Sequence, residues 1–220
     1  MANTYGSENY NLFVKSRIEW LKNWRFQKYD YETRTYKNYQ IILKNHIYDK
    51  GHNIIMSESV SLSVFSDNKL LYTCECIEDL PSSMPFTYTH NGNDYMFFRK
   101  SLYGYTILNL DTLEEYNYFP SNVSEIEHGE AYIIVTMSKL ENYLAFDGCY
   151  WADLYECQLL DLNTKKVYRF REEIESFKNV DVDNVKTDNQ MLSIKADDKV
   201  FTFTKEQIDK LFEKCDNYDI

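Results

Sequence analysis

Between Ile107 and Tyr118 the chain alternates apolar and polar residues, breaks at Asp111-Thr112, and resumes the alternation. The same text returns from Leu159 to Phe170, so that Leu108, Leu110, Thr112 and Tyr116 are followed 52 residues later by Leu160, Leu162, Thr164 and Tyr168. Successive side chains of a strand point to opposite faces, so a period of two around an acid-or-amide plus Thr turn predicts a half-buried β-hairpin. Two copies of one β unit are therefore expected at the centre of the protein. Leu108 and Leu160 are expected at equivalent buried positions, and Tyr116 is expected to superpose on Tyr168.

The N-terminal part reads differently. Tyr10, Phe13, Val14, Ile18, Leu21 and Trp24 fall at three/four spacing and predict one face of an amphipathic helix that opens near Ser7 or Asn9. Trp20 lies off the centre of that stripe, where it packs at an edge or meets a partner. From Phe26 to Leu43 rings and β-branched residues recur without helical spacing and predict two strands. Asp49 to Asn53 is a turn, after which Ile54 to Val64 resumes a strand, Ser66 to Lys69 turns again, and Leu70 to Ile77 returns. Pro81-Ser82-Ser83-Met84-Pro85 breaks the chain. It divides an N-terminal segment, 1–80, from the repeated part, 81–220, unless the two form one continuous domain.

Each repeated unit contains a further hairpin: Phe86 to Thr89 with Tyr95 to Phe98, and Tyr132 to Met137 with Tyr143 to Phe146, the second followed by a loop from Asp147 to Asp153. Four-stranded antiparallel units in tandem resemble the blades of β-propellers, and the resemblance covers roughly Phe86 to Phe170. It implies that each blade covers its neighbour's hydrophobic face. The Trp-Asp and Gly-His signatures of common propeller repeats are missing, and the length suits about four or five blades. The expected fold is mainly β, with tandem antiparallel four-stranded units forming a small or open propeller-like stack or a β-sandwich, and a helix at each end.

After Phe170, Arg171 to Phe177 reads as a helical turn and Asp181 to Lys186 as a polar loop. Met191 to Ile194 and Lys199 to Phe203 make a last hairpin. Thr204 followed by Gln207 forms a capping box before a helix whose Ile208, Leu211, Phe212 and Cys215 share one face.

Composition narrows the classes of function. With 24 Lys and Arg against 35 Asp and Glu the net charge is −11, which repels nucleic-acid backbones and anionic lipid and suits a basic protein partner. Met1 to Glu8 is polar and acidic, so no signal peptide is predicted, and no window approaches the ~18 apolar residues of a membrane span. Five Cys at irregular spacing argue against a disulfide framework, and the expected compartment is the cytoplasm. The 20 Tyr, 13 Phe and 3 Trp suit strands, and Tyr also suits a surface that meets a partner.

Catalytic signatures are scarce. With six Gly, neither the Walker nor the dinucleotide-binding pattern occurs. All four His precede Cys149, which excludes the papain order of Cys before His and leaves only an arrangement such as His128 with Cys149. Cys74-Glu75-Cys76 lacks zinc-finger spacing, and Asp181 to Lys186 has Lys where a calcium loop needs Gly. Glu114 and Glu115 sit beside a turn and read as a solvated face. No cofactor or metal is expected.

The most unusual segment, Asp147 to Glu156, combines Tyr150, Trp151 and Tyr155 with Asp147, Asp153 and Glu156. Aromatic anchors rimmed by charge are how protein interfaces concentrate binding energy, which makes these six residues the candidate binding site. The function expected is a non-catalytic, acidic, protein-binding module of the inhibitor or immunity type that sequesters a partner. An enzyme or small-ligand binder using the same loop is the alternative. Since no disulfide is expected, adding reductant is expected to leave the melting temperature unchanged, and a fall of more than a few degrees in a thermal melt contradicts that reading.

Overall fold

The computed structural model describes residues 7–49, 51, 55–76, 84–101, 104–119, 132–150, 155–170, 182–188, 190–196 and 198–214. After helix α1 (Glu8–Leu21), the strands form successive sheets in which each strand pairs with the one before it in sequence. The first sheet holds β1 (Arg25–Tyr36), β2 (Tyr39–Asp49), β3 (Ile55–Ser66) and β4 (Lys69–Cys76). The second holds β5 (Phe86–His90), β6 (Asn93–Phe98), β7 (Tyr105–Asn109) and β8 (Glu115–Tyr118). The third holds β9 (Tyr132–Leu140), β10 (Tyr143–Tyr150), β11 (Tyr155–Asp161) and β12 (Val167–Arg169). The fourth has three described strands, β13 (Val182–Asp188), β14 (Met191–Ala196) and β15 (Lys199–Thr204), and helix α2 (Lys205–Lys214) follows. The fold is mainly β, built from open antiparallel sheets with a helix at each end. The helical turn expected at 171–177 lies outside the described residues.

Tight turns drive this meander. Asp67 and Asn68, and again Asn91 and Gly92, have the paired positive φ angles of a type I′ turn, whose twist matches that of the strands it joins. The 52-residue repeat is present at the level of single hydrogen bonds. The Asn109 carboxamide oxygen accepts the N–H groups of Asp111 (2.9 Å) and Thr112 (3.1 Å), as the Asp161 carboxylate accepts those of Asn163 (2.8 Å) and Thr164 (3.4 Å). The N–H groups of Leu113 and Lys165, both left-handed (φ 63° and 61°), close onto the carbonyls of Asn109 and Asp161, each at 2.8 Å. An Asx side chain that mimics a backbone turn thus sets the same bend twice. Leu108, Leu110, Leu160 and Leu162 are all buried, as the alternation requires.

The tyrosines keep their place in the repeat, Tyr116 opposite Ile107 and Tyr168 opposite Leu159, but differ in burial. Tyr168 is fully buried, with the α2 ring of Phe212 at 5.9 Å, whereas Tyr116 lies on the edge strand β8 at 6.2 Å from Tyr105 and stays 38% exposed.

Two compact units divide the chain: Met1–Thr89 with Asn93–His128, and His90–Gly92 with Gly129–Ile220. In the first unit Ile41, Leu43, Val60, Leu62 and Val64 of the first sheet form one core with Met96, Phe98, Leu108 and Leu110. In the second unit Tyr143, Leu159 and Tyr168 of the third sheet form a core with Leu192, Ile194 and the α2 residue Ile208. The second sheet is buried on both faces, because Phe97 and Ile107, opposite in register, point away from Met96 and Leu108 and are also buried.

Polar bonds pin the sheets laterally. In the first unit the Tyr39 hydroxyl and the Asp94 N–H both donate to Asp111, each at 2.8 Å, while Lys37, Tyr36 and Thr89 donate to the Asp94 carboxylate. In the second, Asp209 of α2 accepts from the Tyr143 hydroxyl at 2.6 Å and pairs with Lys205 at 2.9 Å.

At the helices, the Thr204 hydroxyl accepts the Gln207 N–H (3.3 Å) and Gln207 returns a bond to the Thr204 N–H (2.8 Å), which completes the capping box. Ser7 caps α1, and Tyr10 and Phe13 pack against Phe119 at 5.2 and 5.9 Å. The apolar stripe expected along α1 is buried only in part, because Ile18 is half exposed. The polar loop expected at Asp181 to Lys186 is instead strand from Val182, where Val185 pairs with Ile194 and Lys186 with Ser193. Besides its pairing with β14, Thr187 of β13 donates its N–H to the Ser138 hydroxyl at 2.9 Å and its hydroxyl to the Lys139 carbonyl at 2.6 Å.

Gly104 has φ of 76°, and a Cβ there would strike the Tyr118 carbonyl oxygen, whereas Gly92 at φ 80° has open space around it. Gly104→Ala is therefore expected to cost about 2 kcal/mol or more, and Gly92→Ala about 1 kcal/mol, in denaturant unfolding. Equal losses at the two positions would contradict the close approach at Gly104.

Candidate functional site

The segment singled out in the sequence divides between strand and surface. β10 continues to Tyr150, so Asp147, Gly148 and Cys149 belong to a strand and not to the loop expected there. Across the register Asp147 pairs with Cys157, Gly148 with Glu156 and Cys149 with Tyr155. Asp147 and Glu156 are thus neighbours on opposite faces of the third sheet, and both are buried. They do not form a charged rim. Glu156 accepts from the Gln158 side chain at 2.8 Å, and such bonds are what make a polar group tolerable inside. Two carboxylates on opposite faces cannot flank one bond of a substrate. Burial, reinforced by the negative charges of Asp147 and Glu156, pushes the Cys157 thiol well up, so it is inert as a nucleophile. Tyr155 is 37% exposed, Tyr150 closes β10, and Trp151 and Asp153 lie outside the described residues.

A more open surface lies at β1. This strand is the edge of the first sheet, and every residue from Arg25 to Thr33 is exposed. It carries Phe26 (44% exposed), Tyr29 (43%) and Tyr31 (64%). Phe26 meets Tyr29 at 4.8 Å and Tyr48 at 5.8 Å, and Tyr29 meets His46 at 5.1 Å. The Lys44 ammonium sits 3.6 Å from the centre of the Tyr29 ring. Just before β1 in the chain, exposed Trp20 contacts Trp24 at 4.0 Å and takes the Arg17 guanidinium on its face at 3.8 Å. The signal in the sequence was composition: β1 contains aromatics, Gln, Thr and charged residues but no aliphatic residue, so it has little with which to join a core.

The outer face of the first sheet continues this surface as a polar ladder. The His46 Nε2 group bonds to the Ser61 hydroxyl at 2.9 Å, and that hydroxyl donates to Glu75 at 2.8 Å. Ser63 and Thr73 bond across the same two strands, β3 and β4, at 3.2 Å. A nucleophilic serine needs histidine between itself and the acid, so that histidine removes its proton. Here serine stands in the middle and its proton goes to Glu75, which leaves it unactivated. Burial lowers the His46 pKa against the attraction of Glu75, which keeps the imidazole neutral at pH 7.

A second polar cluster joins the first and second sheets. Glu115 of β8 accepts from the Tyr72 hydroxyl of β4, from Lys100 at 2.8 and 2.9 Å, and from Asn117 at 2.9 Å. Glu115 is exposed, as expected beside its turn, and its carboxylate is in addition held by three side chains. Among the described residues no group of three His, Cys, Asp or Glu could hold a metal ion, and no helix is long and apolar enough to cross a membrane.

Comparison of the chain with protein-family models, with curated proteins and with solved structures gives no match.

Burial by itself would raise the Glu115 pKa, but the bonds from Lys100, Tyr72 and Asn117 outweigh it and hold the carboxyl below its ordinary value of 4.5. A depressed folded-state pKa contributes stability above the unfolded value, which is lost as pH falls through the folded one. Glu115→Gln is expected to lose about 1 kcal/mol at pH 7, after allowance for solvent screening, and the gap from the native chain should close as pH falls below 4.5. Urea titrations at several pH values measure it, and a gap independent of pH would refute the assignment.

Proposed function

We propose that this protein is a non-catalytic binding module of the inhibitor or immunity type, and that it receives an extended segment of a basic partner protein along β1. The observation that carries the reading is the nine-residue run from Arg25 to Thr33, every residue of it exposed, on an edge strand. An edge strand offers a row of unpaired N–H and C=O groups, and adding a strand to such an edge is a recurrent mode of peptide recognition. Main-chain bonds supply affinity in this mode, and alternate side chains supply selectivity. Phe26, Tyr29 and Tyr31 offer the anchors, since truncating a buried aromatic anchor in an interface typically costs ~2 kcal/mol or more.

The chemistry of the partner follows from charge. A net charge of −11 attracts a basic protein, an attraction screened beyond about 8 Å at physiological ionic strength. Ring faces on this surface already hold cations, Lys44 on Tyr29 and Arg17 on Trp20, and further Lys or Arg from a partner would find the same attraction on Phe26 and Tyr31.

The test is co-purification from the native host followed by titration calorimetry of the recovered partner. The variant Phe26→Ala/Tyr29→Ala/Tyr31→Ala is expected to bind at least tenfold more weakly while its thermal melt stays close to that of the native chain. Affinity is also expected to fall as salt rises. Unchanged affinity in the triple variant would overturn the proposal.

A further inference from the structure

The open edge of β1 is complementary to itself. The exposed run from Arg25 to Thr33 has Tyr29 at its midpoint, the cations Arg25 and Lys28 on one side and the anions Asp30 and Glu32 on the other. On a chain of net charge −11 this stretch is locally neutral, so a second copy of the chain meets no net like charge along it.

Two copies related by a two-fold axis bring their β1 edges together antiparallel, with some residue of the strand facing its own copy across the axis. That residue fixes every other pair, and charge separates the choices. Centring on Lys28 or Asp30 sets a charge against itself, and centring on Tyr31 sets Asp30 against Glu32. Centring on Tyr29 sets Lys28 against Asp30 on both sides of the axis, places no like charges opposite each other within the run, and matches Arg25 with Thr33 at its ends. Opposite charges across a strand pair stabilise it, and like charges oppose it. The irregularity in the pairing of β1 with β2 falls between Phe26 and Lys28, so Lys28, Tyr29 and Asp30 stand on regular strand.

The backbone agrees with this register. Alternate residues of an antiparallel strand turn their N–H and C=O groups away from the partner. Tyr36 and Tyr39 flank a two-residue turn and form a bonded pair, so Tyr29, Tyr31 and Thr33 turn these groups to the open edge. There the Tyr31 N–H is taken by the neighbouring Asp30 carboxylate at 3.1 Å. Pairing gives that N–H a main-chain acceptor from the second copy and releases the Asp30 carboxylate for Lys28 of that copy.

We propose that β1 pairs with β1 of a second copy, antiparallel and centred on Tyr29, and that this dimer keeps the edge closed until the partner's segment displaces it. The masking rests on the partner reading given above, and the dimer does not. Because both copies use the same patch, the contact closes at two chains and does not propagate.

Sedimentation velocity of the full chain alone, over a concentration series, is expected to show monomer and dimer in exchange. Lys28→Asp and Asp30→Lys each set like charges across the axis and are expected to weaken dimerisation about tenfold or more. The double variant Lys28→Asp/Asp30→Lys swaps the pair and is expected to restore it. Tyr29→Cys, whose two Cα atoms face each other at about 5.5 Å, is expected to form an interchain disulfide on mild oxidation beyond the level of the native chain, and Glu32→Cys is not. A monomer throughout the series, a double variant as weak as the single ones, or a disulfide at Glu32→Cys in preference to Tyr29→Cys overturns the dimer. With the recovered partner added, sedimentation is expected to show one partner on one chain, and a partner bound to an intact dimer overturns the masking. A dimer that forms as described while the triple β1 variant keeps full affinity for the partner refutes the partner reading and leaves the dimer standing.

Discussion

Face-to-face burial of apolar strand faces is the interaction on which the rest of this structure depends. Val60, Leu62 and Val64 alternate along β3, are wholly buried, and share a core with Met96, Phe98 and Leu108 of the next sheet. At about 1.5 to 3 kcal/mol for each fully buried aliphatic or aromatic side chain, a face of this kind outweighs any single polar bond in the protein. The second unit repeats the device with Leu159 and Tyr168 against Leu192 and Ile194, and α2 closes it through Ile208.

That driving force is non-directional, so it does not choose a register by itself. The choice falls to short-range polar geometry: the Asx turns at Asn109 and Asp161, the left-handed residues of the hairpins, and the carboxylates of Asp94, Asp111 and Asp209, which collect hydroxyl and ammonium donors from neighbouring elements. A slip of one residue would send every apolar side chain of a strand to the wrong face. Turn chemistry and side-chain alternation agree here, which is why one turn can recur with the same hydrogen bonds in two units of different sequence.

The open β1 surface and the Glu115 cluster arise where this scheme stops. β1 has no aliphatic residue to contribute, so over Arg25 to Thr33 it pairs through its backbone and leaves its rings in water. β4 sets Tyr72, Cys74 and Cys76 opposite Val64, Leu62 and Val60, and at the sheet edge the Tyr72 hydroxyl meets the Glu115 carboxylate of the neighbouring sheet.

The hairpins, the exposed turns, the 52-residue repeat and the capping box of α2 were legible in the sequence, because each depends on side-chain alternation or on hydrogen bonds between residues a few positions apart. Alternation also marked Leu108 and Leu160 as core. Other features depend on what lies across a sheet or on the next one, and only the tertiary structure decided them. Tyr116 and Tyr168 occupy matching places in the repeat, yet α2 covers the second. Asp147 and Glu156 look like surface acids until strand pairing buries them, and the partners of the exposed Glu115, Lys100 and Tyr72, come from elsewhere in the chain. The lack of aliphatic residues marks β1 as a poor contributor to a core, but its place at the edge of the sheet is set by which strands pair, and that only the tertiary structure decided.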